Sequence, residues 1–344
     1  MAEPAPTTAL KIVFGAMTIG KEGAEQARVY THEEAGAILD TFCAHHHAEL
    51  DTARSYGGGT SEEMLGELEW QKRGIIMQTK LSPRAKIGLP DGVTTNHSPE
   101  HLRRGLEMSL KALKTDKIDM WYLHAPDRNT PYEVTLREVN ALHKEGKFDR
   151  FGISNFMAWE VAQMWEICDR NGWIKPSVYQ GVYNALHRAM EPELFYCLRH
   201  YGIAFYAYNP LAGGYLTDKY HRQQTDHELG SRFDPERHQG VLYRRRYWQN
   251  EYFDALDILR AAAKKHGMSE AECALRWMTN HSVLSKEHGD AIIIGASSAK
   301  QLEANLVNLE KGPLPDDVLQ ALDEGWATVK GVCKPYFQPP VGDR

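Results

Sequence analysis

No stretch of this 344-residue chain reaches the roughly 18 to 20 consecutive apolar residues that a membrane-spanning helix needs. No block of five like charges occurs; Arg244-Arg245-Arg246 is a short basic run in a chain of formal net charge −6, so nucleic acid is not an expected partner. Cysteine is sparse: Cys43, Cys168, Cys197, Cys273 and Cys333 are odd in number, scattered and without a C-x-x-C pair, which excludes a disulfide framework and reads as reduced thiols. No G-x-G-x-x-G follows an early strand, so a nicotinamide cofactor is not expected to be held in the Rossmann manner. The glycines of Tyr56-Gly57-Gly58-Gly59-Thr60-Ser61-Glu62 lack the spacing and the lysine of a phosphate loop; they leave the Tyr56 hydroxyl open before a helix capped by Thr60 or Ser61. Met1 to Ala9 has neither a positive region nor an apolar core, which predicts a soluble, cytoplasmic protein. No linker rich in proline, glycine or serine divides the chain. The run His45-His46-His47 is read as a solvated helix end, because adjacent helical positions point in different directions.

What is present is an alternation of short apolar runs with helical patterns. Eight strand candidates occur: Lys11 to Met17, Ala48 to Asp51, Ile75 to Lys80, Ile118 to His124, Phe151 to Ser154, Ser177 to Gln180, Ile203 to Tyr208, and Ala291 to Gly295. Helix starts are marked by Thr31-His32-Glu33-Glu34 before Ala35 to His46, and by Ser98-Pro99-Glu100-His101 before Leu102 to Leu113. Strand and helix alternating eight times predict an α/β fold, a (β/α)8 TIM barrel, as one domain over 1–344 with its core at about 10–330. One long irregular stretch, Ala212 to Tyr247, follows the seventh strand, and such loops are commonly functional. From Leu314 onward the pattern is a helix and then an aromatic tail over 331–344, placed to close the substrate side.

Four residues at the ends of successive runs carry chemistry: Asp51, Tyr56, Lys80 and His124. Strand ends meet at one rim of a closed parallel barrel. A free phenol has a pKa of about 10, and a nearby ammonium eases its proton release; Lys80 supplies that charge. In a partly dry cleft a lysine needs a carboxylate to stay charged, and Asp51 is the partner. A neutral His124 can orient a substrate oxygen. The set suits protonation of a carbonyl oxygen as hydride arrives.

These motifs resemble the aldo-keto reductases over nearly the whole chain. Asp51-Thr52-Ala53-Arg54-Ser55-Tyr56-Gly57 resembles the family's D-T-A-x-x-Y-G, and Gly152-Ile153-Ser154-Asn155-Phe156 its G-x-S-N-F. Tyr208-Asn209-Pro210-Leu211-Ala212-Gly213-Gly214 is similar to the form found in the aflatoxin-aldehyde reductase branch, which includes succinic semialdehyde reductases. Gly295 to Leu306 resembles that branch's adenosine phosphate site, and Cys333-Lys334-Pro335-Tyr336-Phe337 its terminal aromatic segment.

The resemblance implies NADPH-dependent reduction of an aldehyde or ketone without a metal, by a cytosolic homodimer. It assigns Ser154, Asn155 and Gln180 to the nicotinamide carboxamide and Tyr208 to the ring face. The turn Asn209, Pro210, Leu211, Ala212, Gly213, Gly214 and Lys219 falls to the diphosphate, covered by the long loop, and Arg232, Ser297, Ser298, Gln301 and Asn305 to the adenosine end. Gln301 supplies no charge where many relatives have a basic residue, and Ala304 departs from the usual Glu or Gln. Substrate contacts fall on Met17, Arg246, Tyr336, Phe337 and Gln338. Relatives that take carboxylate aldehydes have a second arginine where Gln338 stands, so neutral aromatic or dicarbonyl substrates are expected here. Two other readings use the same fold: a regulatory subunit similar to potassium-channel β subunits, and a lyase or isomerase with Lys80 as a Schiff-base nucleophile. The short stretch before the first strand and the Asn209 to Gly214 turn favour the reductase, and the lyase would not need Tyr56.

Overall fold

The computed structural model describes residues 8–85, 94–222 and 230–340. Expectations resting on 1–7, on 223–229 of the long loop and on 341–344 of the tail lie outside them.

The runs rich in Ile, Val and aromatic residues form eight strands: β1 (Lys11–Gly15), β2 (Glu49–Asp51), β3 (Ile76–Leu81), β4 (Ile118–Leu123), β5 (Phe148–Ser154), β6 (Pro176–Val182), β7 (Ala204–Tyr208) and β8 (Ala291–Ile294). All neighbours pair in parallel and β8 closes on β1 through Lys11 with Ala291 and Phe14 with Ile294. The result is the (β/α)8 barrel expected from the alternation, in which every strand end points to one rim. Strand β5 begins three residues before its apolar run because Arg150 belongs to the interior of the barrel's opposite end. There it meets Asp119 at 2.5 Å and Glu49 at 3.4 Å.

The first helices are α1 (His32–Ala44), α2 (Thr60–Glu67), α3 (Pro99–Ala112), α4 (Tyr132–Lys144), α5 (Ala158–Asn171) and α6 (Leu194–Tyr201). After β7 come α7 (His238–Tyr247), α8 (Asn250–Lys265) and α9 (Glu270–Asn280), and α10 (Ala299–Leu309) and α11 (Asp316–Val329) complete the ring. Thr31 caps α1 in a reciprocal capping box with Glu34, and Ser98 caps α3 with Pro99 in its first turn, as their sequences predict.

Three local expectations are corrected. Neither Thr60 nor Ser61 caps α2: the N-cap is Gly59, the Thr60 hydroxyl donates to the Gly57 carbonyl, and Ser61 donates across to the Ala16 carbonyl after β1. His47 is not a solvated helix end but 5 % exposed and stacked on Phe42 at 5.3 Å, while His45 lies between Glu303 of α10 and Glu310 at that helix's C-cap. The stretch from Ala212 to Tyr247 is not irregular throughout, since its last ten residues are α7. The three arginines concealed this helix, whose apolar contact is concentrated in Tyr247.

Close packing inside the barrel depends on Gly152 of β5, where an added Cβ would stand 2.3 Å from the Tyr122 ring. Gly152→Ala is expected to cost about 1–3 kcal/mol through overpacking, read as a lower urea midpoint. An unchanged midpoint would mean that Tyr122 can move aside freely.

Candidate active site

Strand register brings the sequence-distant groups together. Asp51 ends β2 opposite Gln78, Lys80 lies on β3 opposite Tyr122, and His124 follows β4 with its N–H on the Leu81 carbonyl at 2.9 Å. The wholly buried Lys80 Nζ donates to Asp51 Oδ2 at 2.6 Å and to the Thr52 carbonyl at 2.7 Å. Its ammonium lies 4.9 Å from the centre of the Tyr56 ring, and His124 meets that ring edge-on at 5.8 Å. Gln180 Nε2 from β6 donates to the other Asp51 oxygen at 2.9 Å. Asp51 is therefore held by two strands besides its own.

The electrostatics follow from this burial. Desolvation lowers the Lys80 pKa, and Asp51 and Glu62 oppose it. Burial, then the Asp51 charge, push the Tyr56 phenol well above its ordinary value. The hydroxyl therefore keeps its proton at neutral pH, as the proton donor expected from the sequence must. Burial and the Lys80 charge lower His124 to about 3, so its imidazole is neutral, with Nδ1 buried and unpartnered among the described residues.

Above these groups opens a cleft of ≈ 370 Å³. Its lining includes Met17, Asp51, Tyr56, His124, Asn155, Gln180 and Tyr208, the turn residues Asn209, Pro210, Leu211, Gly213 and Gly214 with Lys219, and Arg232, Ser297, Gln301 and Asn305. Asn209, Ala212, Gly213 and Gly214 all have positive φ, a curled backbone suited to an anion. Ser298 caps α10 by accepting the Gln301 N–H, and Gln301 Oε1 accepts from the Ser297 N–H at 2.8 Å. A dinucleotide fits this donor set, which combines the start of α10, Arg232, a curled turn and side-chain amides in one cleft with Tyr56. Asn155 donates to the His124 carbonyl and to Ser154 Oγ while accepting the Tyr208 hydroxyl; each carboxamide oxygen of Asn155 and Gln180 retains acceptor capacity.

Other expected residues stand outside the cleft lining. Ser154 and Ala212 are buried behind it. Arg246 on α7 is half-buried and bonds to the Tyr208 hydroxyl. The Tyr336 hydroxyl accepts from the Ala158 N–H and donates to Glu193 at 2.9 Å, so this ring ties the tail to α5 and the start of α6. Phe337 packs on Tyr336, and the Gln338 N–H donates to the Asn155 carbonyl at 2.9 Å. Sequence reasoning missed Glu25, Arg28, Gln239 and Tyr243, which line the cleft. Arg28 donates to the Gly230 carbonyl, Glu25 accepts from the Gln239 N–H, and Tyr243 donates to Asn209 Oδ1. The position of Glu25 and Arg28 after a strand end was the one signal available for them.

Residues 11–327 match the family model described as the aldo/keto reductase family. The chain is 54 % identical over 300 residues to an aldo-keto reductase of Pseudocercospora fijiensis, covering 87 % of this chain and 100 % of that one. It is 48 % identical to the aldo-keto reductase pigE of Monascus ruber, over 98 % of this chain and 100 % of pigE. Similarity to human aflatoxin B1 aldehyde reductase member 2 is 42 %, over 98 % of this chain and 92 % of the relative.

Buried imidazoles give folding stability a pH dependence. His47 and His97 are lowered to about 4 and His124 to about 3, from an ordinary value of 6.5, chiefly by desolvation. Below pH 6.5 the unfolded chain binds protons that these folded sites refuse, so their contribution is complete above 6.5 and is lost as pH falls toward 4. His45, raised by Glu310 and Glu303 against its own desolvation, opposes this in part: its contribution is present below its unfolded value and lost as pH rises through the folded one. The urea midpoint is expected to fall from pH 6.5 to 4.5, and less steeply in His47→Phe; a flat midpoint would contradict the assignment.

Proposed function

The chain belongs to the aldo/keto reductase family, and from that premise we propose that it reduces aldehydes or ketones to alcohols with NADPH, Tyr56 donating the proton. The observation that carries this reading is the Lys80–Asp51 pair buried beneath the ring of Tyr56, with neutral His124 against its edge. Reduced nicotinamide would supply hydride; every other task falls to the protein. Asn155, held from behind by Ser154, and Gln180 would hold the carboxamide, Tyr208 the ring face, the Asn209 to Gly214 turn with Lys219 the diphosphate, and Arg232, Ser297, Ser298, Gln301 and Asn305 the adenosine phosphate. Arg232 and the N-terminus of α10 favour the extra phosphate of NADPH over NADH.

His124 would orient the carbonyl oxygen by a hydrogen bond, without a charge to compete with Lys80. As negative charge grows on that oxygen, the Tyr56 proton moves to it and the phenolate left behind is stabilised by the adjacent ammonium. Burial keeps the donor protonated until then, and the Asp51 carboxylate keeps Lys80 charged. Tyr56→Phe is expected to lower turnover by at least about a hundredfold while NADPH affinity, read by tryptophan fluorescence, changes little. Half of wild-type turnover in that variant, with chemistry limiting, would remove Tyr56 from the role.

For substrate, we infer a preference for neutral aromatic or dicarbonyl compounds over carboxylate aldehydes. Gln338 cannot form an arginine's bidentate pair, and Arg246 is engaged with Tyr208. A charged contact contributes about 1.5–3 kcal/mol. Gln338→Arg should therefore raise kcat/KM for succinic semialdehyde by roughly tenfold and leave 4-nitrobenzaldehyde unchanged. Equal gains on both substrates, or a wild-type preference for the acid, would reject this account of the pocket.

A further inference from the structure

Tyr56 is joined to α2 by three glycines with φ of 56°, 65° and 104°. Such a segment has no side chain to hold it and a wide choice of conformations. A proton donor, in contrast, must stay within a fraction of an ångström of its working position. We propose that the buried ion pair between Arg54 and Glu62 is the clamp that sets the Tyr56 hydroxyl over Lys80, which makes both of them positioning residues. The proposal rests on the reading of Tyr56 as proton donor.

Arg54 leaves the rim two residues before Tyr56, with its backbone N–H on the Lys80 carbonyl at 3.0 Å. Its guanidinium passes under Gly59 so closely that a Cβ there would lie 1.8 Å from Nη2. Nη1 reaches Glu62 Oε2 at 2.8 Å and the Met108 carbonyl on α3 at 3.4 Å. The other Glu62 oxygen accepts the Thr79 hydroxyl at 2.5 Å, and Thr79 immediately precedes Lys80 on β3. One pair therefore ties the residue that enters the loop, the helix that leaves it and the strand that carries the activating charge.

Both partners are almost wholly inside, at 4 % and 0 % exposure. Apolar residues of similar volume would often be as stable at such a place, so fold stability alone does not account for the pair. The planar fork of arginine suits a support beneath a bare glycine backbone; a lysine offers only a point. Glu62 also acts on Lys80, which faces Asp51 from β2, Glu62 from α2, Tyr122 and His124 from β4 and its end, and Tyr56 from the loop. Removing the Glu62 charge and leaving Arg54 should ease proton loss from Lys80.

The test uses full-length wild type, Tyr56→Phe, Glu62→Gln, Arg54→Lys and the double variant Arg54→Met/Glu62→Gln, in which both charges go together. Turnover of 4-nitrobenzaldehyde with NADPH is measured against pH, with NADPH affinity by fluorescence and the position of Tyr56 by NMR of ring-carbon-labelled tyrosine. The clamp predicts a kcat at least about tenfold lower in all three clamp variants, NADPH affinity within about twofold, and a displaced Tyr56 signal. The alkaline limb of kcat should move to lower pH in Glu62→Gln and stay in place in the double variant. If the double variant does not fold, Glu62→Gln decides by the same readouts. An unmoved Tyr56 signal with kcat within twofold of wild type overturns the clamp, as does a loss of kcat matched by an equal loss of NADPH affinity. A wild type that does not consume NADPH, or a fully active Tyr56→Phe, overturns the reading of the reaction; a displaced Tyr56 signal in the variants would then still stand for the clamp.

Discussion

The ion pair of Lys80 and Asp51 is the constraint on which the rest of this rim depends. A lysine with no exposed surface keeps its charge only if its donors are matched, and here two go to Asp51 Oδ2 and the Thr52 carbonyl. The centres of the Tyr56 and Tyr122 rings lie 4.9 and 5.9 Å from its ammonium. Gln180 takes the second Asp51 oxygen, so β2, β3 and β6 share one network. Breaking such a pair by removing one partner typically costs about 3–5 kcal/mol, because a buried charge is left alone. Rim geometry and rim charge are thus the same fact.

A second polar network fills the opposite end of the barrel. Glu49 accepts from Lys11 at 2.6 Å, Gln78 at 2.5 Å and Tyr206 at 3.1 Å, and Gln78 in turn accepts the Tyr122 hydroxyl at 3.0 Å. Arg150 joins it to Asp119. Val13, Met120, Val178, Ala204, Ala291 and Ile293 form the apolar part of the interior with Tyr122 and Tyr206. In parallel barrels the end at the strands' N-termini serves stability, and the other end carries chemistry. Tyr122 belongs to both ends here, with its hydroxyl in the lower network and its ring against Lys80.

The cleft owes its walls to segments that are not strands. α7 lays Tyr243 on Gly213, whose missing Cβ would stand 2.1 Å from the ring, and donates the Tyr243 hydroxyl to Asn209. Arg28 and Glu25, from the loop after β1, hold Gly230 and Gln239 on the far side. The tail is fixed by Tyr336 at Glu193 and by the Gln338 backbone at Asn155. Asn155 therefore links the tail to Tyr208 and to the backbone of His124. No described helix is long and apolar enough to cross a membrane.

The eight strands, their parallel order and the meeting of Asp51, Tyr56, Lys80 and His124 were legible in the sequence, because apolar runs alternating with helices permit few closures and put every strand end on one rim. The turn at Asn209 to Gly214 was legible through its resemblance to a family motif, and Asn209, Gly213 and Gly214 are types that accept the positive φ they adopt, while Ala212 takes it against its preference. Local pattern could not reveal what depends on contacts between distant segments. Stacking on Phe42 buried His47, a polar network extended β5 to Phe148, and α7 emerged from a run of arginines. Tyr336 and Arg246 carry the right residue types for a substrate mouth, yet their partners, Glu193 and Tyr208, draw them into the frame of the site. The pKa of Tyr56 was likewise decided in three dimensions. The activating lysine on the next strand was legible, whereas desolvation, which no sequence motif records, raises the phenol above its ordinary value.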